Sequence, residues 1–229
     1  MREIVFDTET TGLDPKTGDR LVEIGCIELI NRVPTGASYH AYFNPERDMP
    51  AEAEAVHGLS SAFLSDKPLF RDKAAELIEF LQDSPLVAHN AGFDFGFLNT
   101  ELALCSMEEV CLTRMVDTVA IARRKHPGAK LSLDALCTRY GVDRSHRVKH
   151  GALLDAELLA QVYVELTGGR QIGLGLAEDL AAEKTVAALP QAEQRQREFR
   201  APRPHSASAE ELARHREFIG RMENPIWGQ

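Results

Sequence analysis

Cysteine, aromatic residues and long apolar runs are all scarce in this chain. Its four cysteines (Cys26, Cys105, Cys111 and Cys137) are spread over 229 residues without a CxxC pair. That excludes a disulfide framework and argues against a structural zinc site, and a reducing, cytoplasmic setting fits such usage. No apolar run approaches the ~18–20 residues of a membrane span. The first residues, Met-Arg-Glu-Ile-Val-Phe-Asp, have neither the apolar stretch nor the cleavage site of a secretory signal. Positive charge is also in deficit: the net charge is −9, which argues against nucleic-acid binding through a broad basic face. The deficit is local. Residues 170–229 hold nine Lys/Arg and nine Asp/Glu, whereas residues 1–169 hold 17 against 26. An acidic domain can still act on a polyanion when some carboxylates are metal ligands, because the bound cations invert the local field.

What is present is enough apolar sequence for one good-sized domain and an extension: 44% of residues are hydrophobic. Residues 2–7, 22–30 and 37–43 read as strands, the third following a turn at Pro34-Thr35-Gly36, and their short links predict an antiparallel meander. Helical spacing of Ala74, Leu77, Ile78 and Leu81 marks 71–82, and Pro85–His89 is a short buried strand. Helices are predicted near 92–104, 117–125, 132–140 (capped by Gly141) and 151–167 (ending at Gly168-Gly169). Strands followed by mixed strand–helix units predict an α/β domain with a mixed sheet flanked by helices. After Gly169 the composition turns to Ala, Glu, Gln, Arg and Pro, the pattern of a flexible linker with a transient helix around 177–188. Helical character returns over 209–223, and the chain's only Trp, Trp227, lies in the tail.

Three short motifs carry acids. In Asp7-Thr-Glu9-Thr10-Thr11-Gly the alternation of a strand puts Asp7 and Glu9 on one side. Such a pair is either an acidic strand edge or a site for a hard divalent cation, which relieves the repulsion. In His89-Asn90-Ala-Gly-Phe93-Asp94-Phe95, Asp94 falls in the first turn of a helix. There it is a complement to the helix dipole or, following a strand end, part of a site. Phe93 and Phe95 are core or base-stacking candidates and cannot share a helix face. In His150-Gly-Ala-Leu-Leu-Asp155, a His precedes a carboxylate at a helix entry. Four carboxylates and one His of near-neutral pKa are the set needed for two-metal hydrolysis of a phosphodiester, with His150 as general base.

In this order, Asp7-x-Glu9, Asp94 after His-Asn-Ala-Gly-Phe, and His150-x-x-x-x-Asp155, the motifs resemble those of the DEDDh 3′→5′ exonucleases of the ribonuclease H-like fold over residues 1–168. Val56-His57-Gly58-Leu59, Ser132–Cys137 and Leu166-Thr-Gly-Gly169 are similar to the proofreading (epsilon) branch that accompanies bacterial DNA polymerase III. The resemblance implies that Asp7, Glu9, Asp94 and Asp155 hold two divalent cations, Mg²⁺ or Mn²⁺, and that His150 is the base. It further implies that Glu9, Thr10, Thr11, Leu13, Glu52, His57, Asn90 and Asp155 contact the terminal nucleotide of a single-stranded or frayed DNA 3′ end. The residue-level alternatives are a solvated loop–helix residue for Glu52, a helix-end cap for His57 and a brace at the strand end for Asn90.

The same resemblance divides the chain into an exonuclease domain (1–168), a linker (169–208) and a tail (209–229). In the linker, Gln171, Leu174 and Leu176 match a short sliding-clamp peptide. In the tail, Leu212, Phe218, Ile219 and Trp227 are the expected anchors on the polymerase catalytic subunit, a tether that raises local exonuclease concentration. Two other functions use the same residues: a stand-alone exonuclease trimming RNA or short oligonucleotides, and a subunit that mainly bridges polymerase and clamp.

Overall fold

The computed structural model describes residues 1–147, 149–169 and 206–222. Strand β1 (Arg2–Thr10) pairs antiparallel with β2 (Leu21–Ile30), which pairs antiparallel with β3 (Val33–Tyr42). On its other side β1 pairs in parallel with β4 (Leu86–Ala88), and β4 with β5 (Met115–Asp117), giving the order β3-β2-β1-β4-β5. The meander, the mixed sheet and the flanking helices are those expected from the sequence.

β1 is central, so both of its faces are covered and Ile4-Val5-Phe6 form a continuous apolar run. Ile4 and Phe6 face helices α3 (Phe70–Leu81) and α4 (Ala91–Leu104), where Phe6 meets Phe95 edge-on with ring centroids 5.8 Å apart. Val5 faces helix α7 (Ala152–Leu166) and packs in one cluster with Ala156, Leu159 and Tyr163. The first turn of α7 comes so close to β2 that a Cβ on Gly25 would lie 2.3 Å from the Leu153 backbone. Only glycine permits that approach, and Gly25 is the register partner of Asp7. Behind α7 stand α5 (Thr118–Lys125) and α6 (Leu133–Tyr140), the latter ending on Gly141 at φ 68°.

Two expectations need correction. Pro34-Thr35-Gly36 is not the hairpin turn: the chain reverses at Asn31-Arg32, both at positive φ, and β3 begins at Val33. The Pro-Thr-Gly signal instead marks an irregularity of the β2–β3 pairing, between partners Leu29–Pro34 and Ile27–Ser38. A proline without an N–H is tolerated there because β3 is an edge strand. The sequence reading also missed α1 (Ala51–His57), α2 (Ser61–Leu64) and β5. Each is short, and α1 buries only His57, so no apolar period announces it.

Residues 206–222 belong to a separate compact unit. Helix α8 (Ala209–Gly220) starts with Ser208 and Glu211 capping each other, within the predicted 209–223. Leu212 and Phe218 are exposed on it and Ile219 is half-buried. The candidate clamp residues Gln171, Leu174 and Leu176, the expected helix at 177–188 and Trp227 lie outside the described residues. No helix among the described residues is long and apolar enough to cross a membrane.

Candidate active site

At the carboxyl ends of the parallel strands β1 and β4, where sites on open α/β sheets gather, the chain forms a cleft of about 540 Å³. Asp7, Glu9, Asp94, His150 and Asp155 all line it. Each arrives by a different route. Asp7 and Glu9 share the parity of Val5 and so lie on the α7 side of β1. Asp155 comes from the first turn of α7 and Asp94 from the first turn of α4. Asp94 crosses to β1 by accepting a 2.7 Å hydrogen bond from Thr8 Oγ1. His150, half-exposed, leans on the α7 acid with Nδ1 3.5 Å from Asp155 Oδ2.

The cleft concentrates negative charge away from water. Asp94 and Asp155 are almost fully buried. Burial, and then the charges of Asp94, Glu9 and Asp155, push the Asp7 carboxyl well above its ordinary range. Burial and the facing Glu23, its register partner on β2, raise Glu9 to about 8. Burial raises Asp94 to about 7 against the hydrogen bond from Thr8. Glu23 is itself held by His40, whose Nε2 lies 2.7 Å from its carboxylate.

A divalent cation suits this donor set. Glu9 Oε1 is a buried oxygen with no hydrogen-bond partner among the described residues, and Glu9, His150 and Asp155 each offer a ligand atom within 4.8 Å of the others. Hard oxygen donors with one imidazole fit Mg²⁺ or Mn²⁺ chemistry.

Carboxyls with raised pKa stabilise the fold while protonated, and that contribution is lost as pH rises towards their folded values. Melted in a chelator, the protein is therefore expected to lose stability from about pH 5 to pH 8, where Glu9 and Asp94 are forced to ionise. His57 and His89, whose pKa values burial depresses from 6.5, act in the opposite sense below that pH. Added Mg²⁺ or Mn²⁺ should flatten the upper part of the curve. Differential scanning calorimetry at several pH values checks this; a chelated melting temperature that rises steadily from pH 5 to 8 would contradict it.

The rim is built by the loop after β1. Thr10 Oγ1 donates to the Gly12 carbonyl at 2.6 Å, and Thr11 exchanges two 2.9 Å hydrogen bonds with Arg20. Leu13 is left 85% exposed at the mouth. Across the cleft, α1 contributes exposed Glu52 and buried His57. His57 Nδ1 accepts the Leu59 N–H at 3.0 Å, while Nε2 faces the Thr10 carbonyl without closing a hydrogen bond on it. Phe95 is core, whereas Phe93 lines the cleft, so the two aromatics divide the roles left open for them. Asn90 is not brought into the cleft lining. It sits exposed at the N-terminus of α4 with φ 64°, and its N–H donates to Asp117.

The sequence reading missed Arg147. Its guanidinium is bidentate on Asp155 (2.7 Å to Oδ2), reaches Asp134 at 2.9 Å and lies 3.0 Å from His150. A cation among four converging acids is demanded by charge balance, and the arginine three residues before His150 was the available signal.

A family model described as an exonuclease (RNase_T) matches residues 4–163. The chain is 48% identical to the DNA polymerase III subunit epsilon of Rickettsia conorii over 97% of this chain and 96% of that protein. It is 44% identical to the corresponding subunit of Escherichia coli over 74% of this chain and 72% of the other. Among solved structures, exonuclease X in complex with 5′ overhanging duplex DNA is similar at 27% identity and a TM-score of 0.57, covering 72% of this chain and 90% of that one.

Proposed function

Because the chain belongs to the exonuclease family, we propose that it is the proofreading 3′→5′ exodeoxyribonuclease subunit of a replicative DNA polymerase, releasing 5′-mononucleotides from single-stranded or frayed 3′ ends. The observation that carries the reading is the convergence of Asp7, Glu9, Asp94, Asp155 and His150 on one cleft from four separate chain segments.

In this reading Asp7, Glu9, Asp94 and Asp155 hold a pair of Mg²⁺ or Mn²⁺ ions, which when bound supply charge to polarise a water and to stabilise the leaving 3′-oxygen. His150, exposed at the mouth beside Asp155, accepts the proton of the attacking water. The Thr10–Leu13 loop seats the terminal nucleotide, with Leu13 as a wedge against the next base. Glu52 and His57 receive the sugar edge, where the Nε2–H of His57 is a buried donor awaiting an acceptor. Mismatched ends unpair at lower cost, so they reach the cleft more often.

The polymerase role is supported by similarity to an epsilon subunit over 97% of this chain, beyond the exonuclease fold itself. The exposed Leu212 and Phe218 of α8, with Ile219 and Trp227, then anchor the polymerase catalytic subunit, and Gln171, Leu174 and Leu176 the sliding clamp. The test is digestion of a 5′-labelled single strand with Mg²⁺ or Mn²⁺. A ladder shortening from the 3′ end, first-turnover release of a 3′-terminal mononucleotide and silence in EDTA are expected. Degradation that persists in EDTA, or internal cuts, would refute the reading. Co-purification of a polymerase catalytic subunit with the full chain but not with residues 1–168 tests the partner.

A further inference from the structure

A second cavity, of about 640 Å³, opens beside the catalytic cleft and shares Asp134, Arg147 and His150 with it. Arg144 and Lys149 complete its wall. The charge there runs against the rest of the unit. Residues 139–150 hold four Lys/Arg and one acid, while the remaining residues up to 169 hold 13 Lys/Arg and 25 acids. The local anions are already engaged. Asp134 Oδ1 is shared by Arg144 and Arg147, each at 2.9 Å, and Asp143 accepts the Ser145 N–H at 2.9 Å. Lys149 is exposed, makes no ion pair among the described residues and lies along Gly58 at the end of α1. A strand carrying one negative charge per nucleotide is repelled by most of this acidic surface, and this cationic hollow continuous with the cleft is where its backbone can be received.

We propose that this second cavity is a phosphate subsite for the substrate strand. Arg144 and Lys149 grip the one or two backbone phosphates upstream of the scissile one, while Arg147 and His150 form the shared wall between subsite and catalytic cleft. The inference rests on the exonuclease reading for its ligand and extends it to the direction from which the strand enters. The subsite contributes strand affinity and leaves the chemistry at the terminal phosphodiester to the cleft.

The test uses the full chain with both side chains neutralised, Arg144→Ser/Lys149→Ser. Both residues are exposed, so folding is expected to survive, and circular dichroism checks it. Two substrates are compared: a thymidylate 12-mer and a nitrophenyl ester of thymidine 5′-monophosphate, which has no upstream phosphate. The ratio of kcat/KM on the 12-mer to kcat/KM on the ester should fall about tenfold, as expected for lost contacts to charged groups. Binding of labelled 12-mer, followed by fluorescence anisotropy in an Asp7→Ala background, needs no turnover. Single-strand affinity changes with a slope of about −0.7 per neutralised phosphate on a log–log salt plot, so the slope should shrink by about 1.4. An unchanged ratio together with an unchanged slope overturns the subsite. If the unsubstituted protein hydrolyses neither substrate, the exonuclease reading fails instead, and the salt slope still decides whether Arg144 and Lys149 bind a strand.

Discussion

Asp7→Ala should lower kcat on single-stranded DNA by at least about 10³-fold, the scale seen when a group that stabilises transition-state charge is removed, while the metal-free protein becomes more heat-stable. Both outcomes follow from the same geometry. Asp7 is forced into a poorly solvated cleft with Asp94, Glu9 and Asp155 around it, and each raises its pKa. Without a cation, an ionised Asp7 is a source of repulsion, and its deletion relieves that repulsion. With a cation, the same carboxylate becomes a ligand. The measurement is a paired one: initial rates with Mg²⁺ or Mn²⁺, and melting in EDTA. Conserved activity would remove Asp7 from the metal site. A loss of activity accompanied by a lower melting temperature in EDTA would mean that Asp7 supports the fold instead.

The second large effect concerns the brace beneath the substrate rim. Glu101 on α4 is 2% exposed and receives both arms of the Arg20 guanidinium, at 2.7 and 2.8 Å, as well as the Leu21 N–H. Removing one partner of such a pair leaves a buried charge uncompensated, at a cost of about 3–5 kcal/mol. Arg20→Met is therefore expected to lower the melting temperature by roughly 6–15 °C for a domain of this size. The double variant Arg20→Met/Glu101→Leu, with no stranded charge, should recover at least half of that loss. Since Arg20 also exchanges hydrogen bonds with Thr11 through its backbone, the single variant should raise KM more than it lowers kcat. Calorimetry and steady-state kinetics on the single and double variants check both statements. A single-variant cost below about 1 kcal/mol would show that Glu101 is solvated or neutral despite its position.

Much of the site was legible before folding because its chemistry is written in residue types at short spacings. Asp7-x-Glu9 is a strand pattern, His150-x-x-x-x-Asp155 a helix entry, and both are complete within a few residues. Asp94 was less legible, since an acid in a first helical turn has a common electrostatic reason to be there. Its tie to Thr8 is a contact across 86 positions. Arg147 was not legible at all. It lies on a loop without periodicity, and its meaning comes from Asp155 and Asp134, on two different helices. Asn90 shows the reverse error. It lies in a motif with Asp94, yet its left-handed backbone turns it away from the cleft lining.

By itself the amino-acid sequence determined what each segment is: which runs are strands, which are helices, where Gly141 ends one, and which acids stand at their ends. Those properties follow from side-chain alternation, helical period and capping, interactions that reach only a few residues along the chain. Tertiary structure alone decided what meets what. Parallel pairing of Ile4 with Leu86 places the β1 and β4 ends side by side. The close approach allowed by Gly25 seats the first turn of α7 against β2. Glu23 comes to lie opposite Glu9 by sheet register, and a cationic loop closes over Asp155. Such meetings depend on packing between distant segments, so no local pattern encodes them, and it is they that raise the carboxyl pKa values and make a cation the natural occupant of the cleft.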